Sequence, residues 1–151
     1  MAATANTIRV NADGKHFEYP ANTANVKPGM CLSIVYDGSD ARLEAKEFTQ
    51  TDLAVVRKCI ALENALVGLD ITTGYAAGDI VSVLQPLPGD QVQILVKDGE
   101  TIATGDYLKP NGTADDGTFV EVSADTDEAW VQAIEAKSPS GSNDHCICVV
   151  L

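Results

Sequence analysis

The chain has 151 residues, a length that suits one compact domain and is short for two. It carries 10 Lys and Arg against 22 Asp and Glu, a formal net charge of −12, and this field repels phosphate backbones and anionic lipid. We therefore expect neither nucleic acid nor a membrane surface as a partner. Hydrophobic residues make up 45% and charged residues 21%, which predicts a folded chain and not a disordered acidic one.

The N-terminal part of the chain differs in charge from the rest. Residues 1–27 contain three basic and two acidic side chains, net +1, whereas the remaining seven basic and twenty acidic residues give net −13. This segment is either an arm that orders on an acidic neighbour or a terminus of average composition. We expect residues 1–10 to form a flexible N-terminal arm and residues 11–151 a single β domain. Residues 1–7 lack the features of a leader, and no apolar run reaches membrane-spanning length, so we expect synthesis in the cytoplasm.

Glycine turns recur along the chain, and each precedes an apolar or alternating run. The four turns are Lys27-Pro28-Gly29-Met30, Ala76-Ala77-Gly78-Asp79, Leu87-Pro88-Gly89-Asp90 and Ala103-Thr104-Gly105-Asp106. Glycine permits the positive φ of a tight turn, and proline presets the first corner. Each turn is therefore predicted to open a strand, with Gly29, Gly78, Asp79, Gly89, Asp90, Gly105 and Asp106 as structural turn residues.

The predicted strands are short and closely spaced. In chain order they cover residues 7–10, 16–19, 30–36, 80–84, 91–96, 107–108, 119–122, 129–135 and 146–151. The clearest is 91–96, where Val92, Ile94 and Val96 alternate with the intervening residues. The pattern predicts a mainly β fold, a small barrel or sandwich of the β-tulip kind with Gly-Asp turns and at most one or two short helices.

Residues 51–66 allow two interpretations. Val55, Cys59, Leu62 and Leu66 fall on one helical face, with Asp52 and Gly68 as possible ends. The β-branched residues Val55, Val56 and Ile60 favour a strand instead. Both alternatives stay open at this point.

Four cysteines are too few and too scattered for a disulfide framework, so we expect reduced thiols. The segment His145-Cys146-Ile147-Cys148 could offer two thiolates from one side of a strand. A structural zinc site needs four ligands, and Cys31 and Cys59 would have to converge from distant positions. Packing of small apolar side chains is the favoured interpretation, and no metal is predicted.

A second group that could bind a cation is acidic. Asp115, Asp116, Asp125, Asp127 and Glu128 could supply oxygen ligands, but the spacing of an EF-hand is absent. We interpret them as solvated loop acids.

The sequence contains no common catalytic motif. There is no Gly-x-Ser-x-Gly, phosphate-binding loop, His-Glu-x-x-His or dinucleotide fingerprint. Histidine is the usual side chain for a base near neutral pH, and the chain has two, His16 and His145. We expect no enzymatic activity and no cofactor.

Roughly residues 55–151 contain, in this order, Ile60-Ala61-Leu62-Glu63-Asn64, Tyr75-Ala76-Ala77-Gly78-Asp79-Ile80-Val81, Pro88-Gly89-Asp90, Gly99, Gly105-Asp106-Tyr107-Leu108 and Gly117-Thr118. This series resembles the capsid cement, or decoration, proteins of tailed bacteriophages. Its most specific part is Tyr-Ala-Ala-Gly-Asp followed by two more Gly-Asp turns. Residues 1–54 match loosely, and Cys-x-Cys is not typical of that family.

The resemblance implies a structural virion protein that binds the outer surface of a phage head and stabilises the expanded shell. Its partner would be the major capsid protein, and it would form a homotrimer at least on the shell. Because arms clamp adjacent capsid subunits in such proteins, the resemblance makes the N-terminal segment the candidate contact. The capsid-binding candidates are Thr4, Asn6, Thr7, Ile8, Arg9 and Val10.

Two other classes remain as alternatives. A lipoyl-like or biotinyl-like carrier domain also uses repeated Gly-Asp turns, but the surroundings of Lys97 do not resemble the attachment motif. A small sugar-binding module presents exposed aromatic side chains, whereas Trp130 lies in an alternating segment where packing explains it more simply.

Overall fold

The computed structural model describes residues 7–48, 58–64, 70–111, 116–122 and 129–151, and in these ranges the chain forms strands and no helix. The strands are β1 Arg9–Asn11, β2 Lys15–Pro20, β3 Leu32–Asp37, β4 Arg42–Glu47, β5 Ile60–Ala61, β6 Ile80–Gln85, β7 Gln91–Val96, β8 Tyr107–Pro110, β9 Phe119–Val122, β10 Val131–Ala133 and β11 Asp144–Val150. The predicted mainly β fold is confirmed. A search of the described ranges for helices able to cross a membrane finds none.

Five of the strands close into a small barrel. The sheet runs β7-β11-β10-β8-β9, and β9 returns to β7 through a parallel pairing of Val96 with Phe119. β1 also pairs with β7, at the start of that strand, whereas β9 pairs with its last residue. Closure leaves β7 with neighbours on both sides, which is why five of its six residues are buried.

Inward side chains of the barrel form the first hydrophobic cluster, which we call the barrel core. Its strand members include Val92, Ile94, Val96, Leu108, Phe119, Val131, Ala133, Cys146, Cys148 and Val150. They alternate along each strand and meet across the antiparallel pairs, as Cys148 does with Val92 and Cys146 with Ile94.

A second layer covers one side of the barrel. β2, β6 and β5 form a three-stranded sheet, and β3 and β4 form a separate hairpin. The hairpin joins the second layer through a parallel bridge between Ala21 and Ala45. The cluster in this layer, which we call the second core, contains Leu32, Ala45, Val81, Val83 and also Leu95 of the barrel strand β7.

The turn before β7 shows how the glycine turns work. Gly89 has φ +92°, and the Asp90 amide donates to the Leu87 carbonyl at 3.0 Å, which is the geometry of a type II turn. Asp90 is buried, and its carboxylate accepts from the amides of Leu87 at 2.8 Å, Asp13 at 3.0 Å and Gly14 at 3.1 Å. One carboxylate therefore fixes both its own turn and the loop between β1 and β2.

The turns at residues 76–79 and 103–106 repeat the local bonds of this turn. Asp79 accepts from the Ala76 amide at 2.9 Å, and Asp106 accepts from the Ala103 amide at 2.6 Å. Each turn glycine also donates its amide to a carbonyl in another segment. These bonds are all 2.8 Å long and run from Gly29 to Ala61, Gly78 to Ala21, Gly89 to Val150 and Gly105 to Ala133. The turns thus connect distant segments as well as reverse the chain.

The turn at residues 27–30 joins the two cores. Gly29 has φ +83°, and a Cβ at this position would lie 2.9 Å from both the His145 ring and the Leu95 amide nitrogen. His145 is buried, with its Nε2 2.9 Å from the Pro28 carbonyl oxygen, so Nε2 carries the proton and donates. Burial lowers the pKa of His145, which keeps the ring neutral near pH 7. A close backbone approach and one buried donor hold this turn against the barrel.

Most strand predictions agree with the structure. β7 and β9 have the predicted bounds, and each of the four turns is followed within three residues by a strand. β10 is shorter than predicted, covering only Val131–Ala133, because the segment from Ile134 turns away as the barrel strand ends. β4 was not predicted. In the ambiguous segment 51–66, Ile60–Ala61 is a strand, while residues 51–57 and 65–66 lie outside the described residues.

Asp90 provides a direct test of this turn chemistry. Replacing Asp90 by Ala leaves three amides without their acceptor, and we expect a loss of about 2–4 kcal/mol in the free energy of unfolding. Asp79→Ala is the matched control, because Asp79 is exposed and accepts one such bond. Urea unfolding of both variants measures the difference, and equal losses would contradict the role given to Asp90.

Candidate functional site

The sequence suggested the N-terminal segment as the capsid contact. From Thr7 onward, where the described residues begin, this segment is bound to the barrel. Arg9 lies opposite Val92 of β7, and the amide of Gln93 donates to the Ile8 carbonyl at 2.8 Å. The Gln93 side chain donates to the Thr7 carbonyl at 2.9 Å. Ile8 is fully buried in the barrel core. The segment from Thr7 onward therefore adds an edge strand to the sheet.

Glu63 holds the same segment through its carboxylate. One of its oxygens accepts from the Thr7 hydroxyl at 2.5 Å, and the other accepts from the Ile8 amide at 2.9 Å. Hydrogen bonds to a carboxylate are stronger than those between neutral groups. Glu63 belongs to the Ile60–Asn64 element of the resemblance to cement proteins, and in this structure it holds Thr7 and Ile8.

These contacts correct the expected boundary of the arm. Residues 7–10 are held by the fold, because burial of Ile8 and the bonds from Gln93 and Glu63 order them. The expectation of a flexible arm is therefore wrong for residues 7–10. Thr4 and Asn6 lie outside the described residues.

Of the other four contact candidates, only one presents an exposed side chain. Thr7 and Val10 are half-buried, Ile8 is buried and Arg9 is exposed. An interior isoleucine has no surface to offer a partner, so Ile8 is a core residue and not a contact residue. The sequence did not reveal this because Ile8 is covered by residues far away in the chain.

Arg9 lies in a small basic region of an acidic protein. Its Nη1 is 3.2 Å from Nε2 of His16, and its Nη2 is 4.0 Å from the Asp13 carboxylate. Lys15, the neighbour of His16, is also exposed. The exposed side chains of Arg9 and Lys15 make this region locally basic, in agreement with the charge difference along the sequence.

The residues suspected of metal binding divide between two sides of β11. Cys146 and Cys148 point into the barrel core, with their sulfur atoms 3.9 Å apart, whereas His145 points to the other side. The Cys148 thiol donates to Cys146, which lowers the pKa of Cys146 and raises that of Cys148. Among the described residues, no group of three possible ligands includes a cysteine. The pair is a packed element of the core.

One acidic group does come together, on the β3–β4 hairpin. Asp37, Asp40 and Glu44 have carboxylate oxygens within 4.8 Å of one another. The Arg42 guanidinium lies among them, 3.0 Å from Asp40 and 2.8 Å from Glu44. Glu44 is buried and also accepts from the Asn22 side chain at 2.6 Å. Arg42 pairs with two of the three carboxylates, so we interpret this group as an ion-pair network.

The same hairpin carries apolar side chains in water, a feature that the sequence analysis did not find. Tyr36 is 66% exposed and Leu43 is 47% exposed, and they lie directly opposite each other in the hairpin register. Large apolar side chains placed together on a surface are typical of interaction sites. Their pairing depends on β4, which was not predicted.

Trp130, the residue considered for sugar stacking, packs against the barrel. Its ring lies edge-on to Phe48 at 6.0 Å and to Phe119 at 6.3 Å. These contacts give it a place in the hydrophobic packing. Lys97, the residue considered for a carrier attachment, is half-buried at the end of β7.

Comparisons with known proteins give one informative result. No protein-family model matches the chain, and no curated protein matches it in sequence. Among solved structures, the chain is similar to the N base of head fiber gp8.5 of bacteriophage phi29. The TM-score is 0.54 at 21% identity, and the alignment covers 91% of this chain and 93% of that chain. This likeness shows a shared fold.

The corrected boundary can be tested by two deletions. Removing residues 1–6 keeps the described contacts of Thr7 and Ile8, so it should destabilise the protein less than the longer deletion does. Removing residues 1–10 should lower the free energy of unfolding by about 3–5 kcal/mol, because Ile8 leaves the core and Glu63 and Gln93 lose their partners. Ile8→Ala is the control for the core contribution, with an expected loss of about 2–4 kcal/mol. If the two deletion variants are equally stable, residues 7–10 contribute nothing to the fold and belong to the arm as first expected.

Proposed function

We propose that this chain is a structural protein of a tailed-phage head, which binds the outer surface of the capsid and stabilises the expanded shell as decoration proteins do. The observation that carries the proposal is the fold shared with the base of a phage head fiber over nearly the full length of both chains. The sequence resemblance to cement proteins, which spans about two thirds of the chain, supports the same kind of particle independently.

The physical character of the surface suits such a role. A net charge of −12 limits non-specific association between decorated particles, because like charges repel. Many copies on one shell can reinforce it through modest individual contacts, since binding at several sites adds by effective concentration. A protein that acts in this way needs a rigid fold and an interaction surface, and the proposal assigns it no enzymatic activity and no cofactor.

The proposed partner is the major capsid protein, with the chain bound as a homotrimer at least on the shell. The protein would be made in the cytoplasm of the bacterial host and would reside on the outside of the virion. From the N-terminal candidates, Thr4, Asn6, Thr7, Arg9 and Val10 remain as proposed contacts. Ile8 is removed from that set because it is buried.

The structural neighbour suggests a second candidate function. Since that protein is described as the base of a head fiber, this chain could anchor a projecting fiber to the head as well as bind the shell. The two functions share attachment to the head and differ in whether the chain strengthens it. The packing of Trp130 and the half-buried position of Lys97 give the sugar-binding and carrier alternatives no comparable support.

Binding to shells tests the proposal. Purified protein is mixed with expanded shells that are assembled from the major capsid protein of the same phage and lack this chain. We expect the protein to sediment with the shells in a saturable ratio, and decorated shells to resist heat or chelator disruption better than bare ones. Unexpanded shells are the control for specificity.

The outcomes separate the functions. Saturable binding with no change in shell resistance would favour the fiber-base function over stabilisation. Protein that stays in the supernatant at every salt concentration would contradict the proposal.

A further inference from the structure

The β3–β4 hairpin has one apolar face that continues from the interior into solvent. Leu32 and Ala45 on this face are buried in the second core, and Ile34 packs partly against it. Because residues directly opposite in a hairpin share a face, the pair Tyr36 and Leu43 extends the same face to the end of the hairpin. We call residues 36–43 the hairpin tip. Within the described chain, the side chains of Tyr36 and Leu43 at the tip are largely exposed to solvent.

The opposite face of the hairpin holds the tip in place. Arg42 bridges Asp40 and Glu44, and buried Glu44 is tied to Asn22 outside the hairpin. On the apolar face, at the base of the hairpin, the Glu47 carboxylate accepts from the Thr23 hydroxyl at 2.7 Å. A surface that is ordered before it binds loses little conformational entropy on binding. The tip is therefore a preorganised surface and not a loose loop.

Charge indicates what kind of surface would cover the tip. Within the hairpin tip, Asp37 and Asp40 outnumber the single basic residue Arg42, so the tip has a net charge of −1 in a chain of −12. A second copy of this chain would bring the same negative charge to the contact, which disfavours pairing between copies. A partner with an apolar pocket and a basic rim is complementary in both respects.

We infer that the hairpin tip, with Tyr36 and Leu43 as apolar anchors, docks into a basic-rimmed apolar pocket of the head-shell protein. This inference rests on the proposed function and names a contact surface in addition to the N-terminal segment. Tyrosine is among the residues that contribute most to binding when they fill a partner's pocket. The acidic residues around the pair supply orientation and the dependence of binding on salt.

The first test replaces the apolar pair. Tyr36→Ser and Leu43→Ser, singly and together, are compared with the wild type in co-sedimentation with the bare expanded shells. We expect the dissociation constant to rise about tenfold for each single change and more for the double variant. Leu87→Ser is the matched control, because Leu87 is 50% exposed in a different turn and should bind within about twofold of the wild type. Thermal unfolding and circular dichroism verify that every variant is folded.

The second test reverses charge beside the pair. Asp40→Lys should weaken binding at low salt, and the difference from the wild type should shrink as salt screens the contact. Asp98→Lys makes the same change in charge at an exposed turn elsewhere and should bind like the wild type. Stronger binding of Asp40→Lys would contradict the basic rim.

The results distinguish this inference from the function on which it rests. Wild-type binding that is lost only in the tip variants supports both. Wild-type binding with unaffected, folded tip variants overturns the inference and leaves the proposed function standing. Failure of the wild type to bind overturns both. Self-association of the wild type in sedimentation velocity that disappears in the double variant would assign the tip to a contact between copies and overturn the shell pocket.

Discussion

The glycine turns are the constraint on which the rest of this structure depends. In each, the glycine takes a positive φ, the chain reverses, and the glycine amide donates to a carbonyl of another segment. The side chain at the fourth position then accepts from the first amide of the turn, through a carboxylate in three cases and the Met30 sulfur in the fourth. Such turns allow the eleven short strands of the described residues, most of them with long-range partners, to close a barrel and cover one side of it.

The two cores depend on each other through β7. Its inward residues belong to the barrel core, and its outward Leu95 belongs to the second core, against the turn that contains Gly29. The buried His145 donor connects that turn to the neighbouring strand of the barrel. The second layer is thereby fixed to the barrel, and the hairpin projects from it with a defined orientation.

The parts of the fold that the sequence predicted are those whose signal is local. Strands β7 and β9 follow from alternation and from the turns beside them. β4 was not predicted, because Arg42–Glu47 holds only two apolar residues. Its central residue Glu44 is buried, and the carboxylate accepts from Arg42 and Asn22. Ile8 was placed in the arm for the same kind of reason: Glu63 and Gln93, which order it, are 55 and 85 residues away in sequence. The hairpin tip could not be recognised before the register of β3 and β4 was known.

The protein combines a fold also found in a phage head component with an acidic surface that ends in an exposed apolar pair. We propose that it sits on the outside of a phage head. Electron cryo-microscopy of expanded shells, with and without the protein, would locate it. We expect added density on the outer surface that fits the barrel, with the β3–β4 hairpin against the shell. Density on the inner surface, or none at saturating protein, would show that the proposed location is wrong.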